Sequence, residues 1–308
     1  MVNDGIDRRG FLRCMRWAGT GLVWTMAGGV PVSRLLAQSG ERAAAHAKGE
    51  FSFVQISDSH IGFNRDANPD VKGTLQAAIA RLNAEAAPEF LIHTGDITQN
   101  SKPAEFDDAA EILKSAKTQQ AFYVPGEHDV MGAGKQYADR YIREAKGRGW
   151  YSFDHKGVHF VALVNVVEFK EGFGSLGDEQ LEWLEADVKG KSSSTPIVVF
   201  AHIPLWTVYP QWGWGTADSE RALGYLKKFG SVTILNGHIH QTMQKVEGHV
   251  TFHTACSTAF PQPKPGEGPS PGPKKVPADQ LRSALGITDV KLVHGGHSLA
   301  IVDRSLSS

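Results

Sequence analysis

Apolar residues along this chain follow two alternating rhythms. Short apolar runs predict strands at Phe51–Ser57, Phe90–His93, Ala121–Val124, Ile197–Ala201 and Val232–Leu235. Between them, apolar residues three and four apart predict helices. One spans about 71–87, with Leu75, Ile79 and Leu82 on one face, and another about 104–115, with Pro103 suited to its first turn. A third covers about 178–188, carrying Leu181, Leu184 and Val188, and a fourth lies near 219–229. Trp150 to Val167 reads as two strands around a His155-Lys156-Gly157 turn. After His240 the pattern becomes hairpin-like, with Glu247-Gly248 as a turn, and Leu299–Val302 reads as a last strand. Alternating strands and helices predict an α/β fold. The later strands without helices predict a sheet that is not purely parallel.

The ends of the chain break this rhythm. Asp7-Arg8-Arg9-Gly10-Phe11-Leu12-Arg13 resembles a twin-arginine motif, followed by an apolar stretch from Trp17 to Val30, Pro31 and small residues near Ala37. That stretch is short for a membrane span and rich in Gly and Thr. Residues 1–38 are therefore expected to be an export signal and 39–50 a linker; a short basic amphipathic helix is the other reading. Export would make the twin-arginine machinery a partner and place the mature protein in the periplasm or outside the cell. No cysteine follows the apolar stretch closely, so no lipid anchor is expected. With Cys14 in the signal, Cys256 is left as a lone thiol. Residues 51–260 are expected to form the main domain. Residues 261–277 hold seven of the fifteen prolines, too many for regular structure. This segment, bounded at 261–279, reads as a mobile loop or as an ordered flap over the site, and 280–308 as an extension returning to the domain.

Charge removes some partners from consideration. With 32 Lys+Arg against 33 Asp+Glu, nothing points to a nucleic acid polymer or a membrane surface. Hydrophobic residues make up 41% of the 308, enough for one large α/β domain or two small ones.

The chemistry is concentrated at the strand ends. Asp58-Ser59-His60, Gly95-Asp96, Gly126-Glu127-His128-Asp129, Ala201-His202 and Gly237-His238-Ile239-His240 follow five apolar strands in order. Ligands in open α/β sheets bind beyond the carboxyl ends of strands. Spacing of two residues, in Asp58/His60 and His238/His240, lets strand alternation aim both side chains one way. Mixed carboxylate and imidazole donors suit Fe, Mn or Zn rather than Mg or Ca. Two such ions about 3.5–4 Å apart hydrolyse phosphate esters, and they need a bridging carboxylate between them. One strand-end Asp or His is ordinarily structural, and His46, His93, His155, His159, His249, His294 and His297 are read that way, with His253 left open. Five clusters in series argue otherwise.

In order and spacing these residues resemble the calcineurin-like metallophosphoesterase superfamily, whose pattern is D-x-H, G-D, G-N-H-[DE], a lone H and G-H-x-H. The likeness covers about residues 51–255. It implies a four-layer sandwich of two mixed β-sheets flanked by helices. It also implies one metal on Asp58, His60, Asp96 and His240, and a second on Asp96, Glu127, His202 and His238, with Asp96 as bridge. His128 would face the substrate, stabilising charge or protonating the leaving oxygen, and Asp129 would orient His128. The reaction implied is hydrolysis of a small-molecule phosphate ester by metal-bound hydroxide.

Glu127 departs from the family pattern, which has asparagine there. Asparagine is neutral and can donate to a phosphate oxygen; ionised glutamate cannot. Two divalent ions at about +4 meet about −4 from Asp58, Asp96, Glu127 and one hydroxide, against a net of about +1 with asparagine. A neutral cluster attracts a dianionic monoester less and tolerates Fe(III) better, so Fe/Mn or Fe/Zn pairs and a phosphodiester preference are expected. The alternative is a metal-binding or redox protein with weak hydrolysis or none.

Directly after His202 comes Pro204-Leu-Trp-Thr-Val-Tyr-Pro-Gln-Trp-Gly-Trp-Gly215, which keeps no helical or strand period. Trp206, Tyr209, Trp212 and Trp214 are either an aromatic wall that stacks a flat group such as a base, or a loop packed on its own rings.

Overall fold

The computed structural model describes residues 50–84, 88–142, 149–292 and 299–307, with the strand backbones at 23–27 and 30–34. The twin-arginine-like stretch, Cys14, His46, His294 and His297 lie outside the described residues. The chain divides into two units, Met1–Ala45 and His46–Ser308. In the first, strands β1 (Val23–Ala27) and β2 (Val30–Arg34) pair antiparallel.

The second unit begins β3 (Phe51–Ile56), α1 (Val71–Asn83), β4 (Phe90–His93), α2 (Pro103–Leu113), β5 (Gln120–Tyr123) and α3 (Lys135–Tyr141). It continues with β6 (Tyr151–His155), β7 (Val158–Ala162), β8 (Glu168–Lys170), β9 (Phe173–Ser175), α4 (Asp178–Lys189), β10 (Ile197–Phe200) and α5 (Ser219–Leu226). Last come β11 (Val232–Asn236), β12 (Met243–Glu247), β13 (Val250–Thr254), α6 (Leu281–Ala284), β14 (Gly286–Leu292) and β15 (Leu299–Ser305).

Local chemistry sets several boundaries. Asp70 caps α1 by accepting from the Gly73 amide at 2.9 Å, and α2 opens on Pro103 with Glu105 reaching back to the amides of Asn100 and Lys102. The β6–β7 turn places Lys156 and Gly157 at φ 47° and 83°, the left-handed pair that a tight hairpin requires.

Two sheets result. One has the order β15-β14-β3-β4-β5, the other β12-β13-β11-β10-β7-β6, and each mixes parallel and antiparallel pairs. Between them lies an aromatic core: Phe53 and Phe90 stack at 4.9 Å, and Phe160 meets both edge-on, all three fully buried. Leu75, Ile79 and Leu82 of α1 join Phe106 and Ala109 of α2 over the outer face of the five-stranded sheet. Leu181, Leu184 and Val188 of α4, with Ala222 and Leu226 of α5, cover the outer face of the other. The layers are helix, sheet, sheet, helix. Sequence reading missed β14, which pairs antiparallel with β3 and so brings the chain's end back into the first sheet. Its short β-period lies next to a proline-rich stretch and gives little signal.

Candidate metal centre

Parallel strands in both sheets end at one edge, and the chemistry gathers there. The five-stranded sheet delivers Asp58 and His60 after β3, Asp96 after β4 and Glu127 after β5. The six-stranded sheet delivers His202 after β10, and His238 and His240 after β11. All seven side chains meet in interlocking groups, with ligand atoms within 4.8 Å of one another in Asp58/His60/His240, in Glu127/His202/His238 and in Asp58/Asp96/His202. Asp96 Oδ2 stands 3.5 Å from both His60 Nε2 and His202 Nε2, between the two triads.

Backbone strain aims these side chains. Asp58, His60, Asp96, His238 and His240 have φ from 41° to 69°, a left-handed region that costs about 1–2 kcal/mol for each such residue. Convergence of residues two apart thus comes from paired left-handed turns and not from strand alternation. Bonds between the loops hold them there: Asp58 N–H donates to Gly95 O at 3.0 Å, His60 N–H to Asp96 O at 2.9 Å, and His238 N–H to the Asp58 carboxylate at 3.1 Å. Of the glycines beside the ligands, only Gly95 needs a positive φ, at 94°. Gly126 and Gly237 serve close approach: a Cβ on Gly126 would strike Asp96, and one on Gly237 would strike Ser57 and Asp58.

The donor atoms face one another as acceptors. His202 gives its Nδ1 proton to Thr94 O at 2.7 Å, and His240 gives its own to Phe260 O at 2.6 Å, so each Nε2 points inward as a lone pair. There His240 Nε2 lies 3.3 Å from Asp58 Oδ1, and His202 Nε2 lies 2.9 Å from Glu127 Oε2. Glu127 Oε1 is 2.9 Å from His238 Nδ1. Glu127 Oε2, His202 Nε2 and His238 Nδ1 are buried without a hydrogen-bond partner. Lone pairs converging in a buried space need cations or protons between them, and this donor set fits metal ions.

The ionisation states agree. Burial pushes Asp58 up, but His240, His202 and His60 outweigh it and hold the carboxyl well below the usual range. Burial likewise pushes Glu127 up, and His238 and His202 outweigh it, so it too stays anionic. Burial drives His60 down to about 3.

His128 lies at the half-buried mouth, its ring 5.0 Å from that of His60. Its Nδ1 donates to Gln99 O at 2.8 Å, which leaves Nε2 for the cleft. The expected orienting role of Asp129 is corrected here. The Asp129 carboxylate is fully buried and accepts from the amides of Ile97, Thr98 and Gly126 and from the Thr98 hydroxyl, at 2.9–3.0 Å. It ties the Asp96 loop to the Glu127 turn, and the Gln99 carbonyl orients the imidazole. No residue spacing signals a backbone carbonyl in that role, so sequence reading could not find Gln99.

The remaining described histidines are bonded elsewhere or exposed. His93 lies beneath the site against Ser59 Oγ at 2.8 Å, with burial lowering it to about 4. His159 bridges Asp154 and Asp187, His155 meets Glu89, and His249 is exposed. His253, left open by the sequence, bonds Asp303 at 3.0 Å and so joins β13 to β15 across the two sheets.

The aromatic wall is corrected in two of its four members. Trp214 is 1% exposed and packs edge-on against Trp212 at 4.9 Å. Trp206 turns away to Phe252 at 5.0 Å and lines a separate cavity of about 640 Å³ that contains none of the seven ligands. Tyr209 and Trp212 remain half-exposed, 5.1 Å apart. A loop of this length satisfies itself by stacking its rings on one another and on the outer core.

A family profile for calcineurin-like phosphoesterase matches residues 51–242. A 3',5'-cyclic-nucleotide phosphodiesterase of Nostoc sp. is 23% identical over 216 residues, 68% of this chain and 79% of that one. A probable glycerophosphodiester phosphodiesterase of Arcobacter nitrofigilis is 26% identical over 228 residues, 66% and 77% respectively. In fold, a dimetal phosphatase from Danio rerio aligns over 83% of this chain and 96% of its own, with TM-score 0.59 and 13% identity.

Proposed function

The chain belongs to the calcineurin-like phosphoesterase family, and on that footing we propose that it hydrolyses small phosphodiesters in preference to phosphomonoesters. It is a metal-dependent phosphoric ester hydrolase. In this reading Asp58, His60, Asp96 and His240 hold one ion, and Asp96, Glu127, His202 and His238 hold the other. When bound, the pair would supply Lewis-acid charge to a phosphoryl oxygen and a water acidified toward neutral pKa.

The observation that carries the diester preference is the position of Glu127, whose two oxygens each lie 2.9 Å from an imidazole nitrogen of the second group. It sits where the family has a neutral amide. Three carboxylates set about −3 against about +4 from two divalent ions, where the amide version would set about −2. The weaker residual charge penalises a dianionic monoester more than a monoanionic diester. The same extra charge favours a trivalent ion, so Fe/Mn or Fe/Zn pairs are the metals proposed. His128, with Nδ1 fixed by Gln99 O, presents Nε2 to the leaving oxygen and can protonate it.

Relatives named for cyclic nucleotides and glycerophosphodiesters support small diesters as the substrate class. The half-exposed Tyr209 and Trp212 suit the organic group of such a diester. Export through the twin-arginine route is part of the proposal, supported by the order Arg8-Arg9, apolar stretch, small residues. Comparing kcat/KM on bis(p-nitrophenyl) phosphate and p-nitrophenyl phosphate tests the preference; a strong monoester preference overturns it. Periplasmic fractionation of the wild type and an Arg8→Lys/Arg9→Lys double variant tests export.

A further inference from the structure

Beyond residue 242, where the family match ends, the chain turns back along the metal-ligand loop. Phe260 sets its ring 4.8 Å from His60 and 4.7 Å from His240. Two glutamines then cross between the segments: Gln262 Nε2 donates to His238 O at 3.2 Å, and Gln241 Nε2 donates to Pro263 O at 2.7 Å. Further on, Lys274 N–H donates to Pro261 O at 2.8 Å, and Lys275 Nζ pairs with Asp66 Oδ2 at 3.1 Å, in the loop beyond β3. The proline-rich stretch is thus bonded to the ligand loop at its start, and to itself and to Asp66 near its end.

The loop it grips carries His238 and His240 at φ 69° and 54°. Non-glycine residues hold such angles only where their surroundings fix them. A segment dense in proline has few unfolded conformations to lose, so it can impose a shape at low entropic cost. His238 needs this help. His202 and His240 each have a ring nitrogen anchored to a carbonyl, whereas His238 is held through its backbone, by the Asp58 carboxylate at its amide and Gln262 at its carbonyl.

We propose that residues 261–277 clamp the Gly237–Gln241 loop, and that Gln262, through the His238 carbonyl, is the positioning residue that fixes where His238 Nδ1 points. This rests on the metal-centre reading above, with His238 as a ligand of the second ion. Loss of an outer partner of a metal ligand weakens metal binding by about 10–100-fold. The loss should fall on one ion of the two.

The test titrates metal-free full-length protein with Mn(II) alone by calorimetry, in wild type, Gln262→Ala and Gln262→Met. Methionine keeps the length of the side chain and removes its donor, so a purely space-filling role would leave Gln262→Met like wild type. Both variants are expected to bind one ion at least tenfold less tightly and the other as wild type does. Should Gln262→Ala fail to fold, as its metal-free melt would show, Gln262→Met decides alone. Two ions bound to the variants with wild-type affinities overturn the clamp. Fewer than two bound to wild type overturns the metal-centre reading itself.

Discussion

Glu127 and His202 face each other acceptor to acceptor: Oε2 lies 2.9 Å from Nε2, while Nδ1 of the same ring is bonded to Thr94 O. Only a proton or a metal ion makes that approach favourable. Burial pushes His202 down, but Asp96 and Glu127 outweigh it and raise the imidazole well above its ordinary value. Exchanging Glu127 for asparagine removes one negative charge and restores a donor. Glu127→Asn is expected to raise the monoester-to-diester ratio of kcat/KM about tenfold, equivalent to about 1.4 kcal/mol between the two transition states. An unchanged or lower ratio rejects the charge argument.

His128→Ala should lower kcat by about 10²–10⁴, the usual contribution of a positioned acid. Because His128 lies at the mouth and outside the seven ligands, metal content by elemental analysis should stay at the wild-type value. Loss of metal together with activity would make His128 a ligand instead.

Asp129 separates orientation from structure. Its carboxylate satisfies three backbone amides and one hydroxyl in a buried space. Asp129→Ala strands those donors, and each stranded group costs about 1–3 kcal/mol. A large fall in melting temperature is expected. A variant with full stability and only a lowered kcat would return Asp129 to the role of orienting His128.

Phe160 is fully buried, in contact with Phe51, Phe53, Phe90 and Phe153. Phe160→Ala should destabilise the protein by about 3–5 kcal/mol in chemical denaturation. Activity per folded molecule should be kept, since none of these rings reaches the ligands.

Acid sensitivity has a source away from the centre. Burial pushes Asp187 up, but His159 and Ser152 bond it and hold its carboxyl below the usual value. A carboxyl lowered in the folded state stabilises above its unfolded pKa of about 3.9, and that stabilisation fades as pH falls through the folded value. Asp187→Asn should therefore melt lower than wild type at neutral pH, and the gap should close below about pH 4. A gap independent of pH would remove the ionised form from the explanation.

The sequence alone determined the alternation of strands and helices, because the spacing of Leu75, Ile79 and Leu82, or of Leu181, Leu184 and Val188, is a local consequence of which face meets a core. It also determined which loops hold the chemistry, since hard and borderline donors at successive strand ends are visible without coordinates. Tertiary structure decided what those side chains touch. That His128 leans on Gln99 and not on Asp129, that Trp206 and Trp214 turn to the core, and that Gln262 reaches His238 all depend on contacts between segments far apart in the chain or on loop torsions that no period encodes. Local patterns record which face is apolar; which carbonyl meets which imidazole is settled only when two sheets close on one edge.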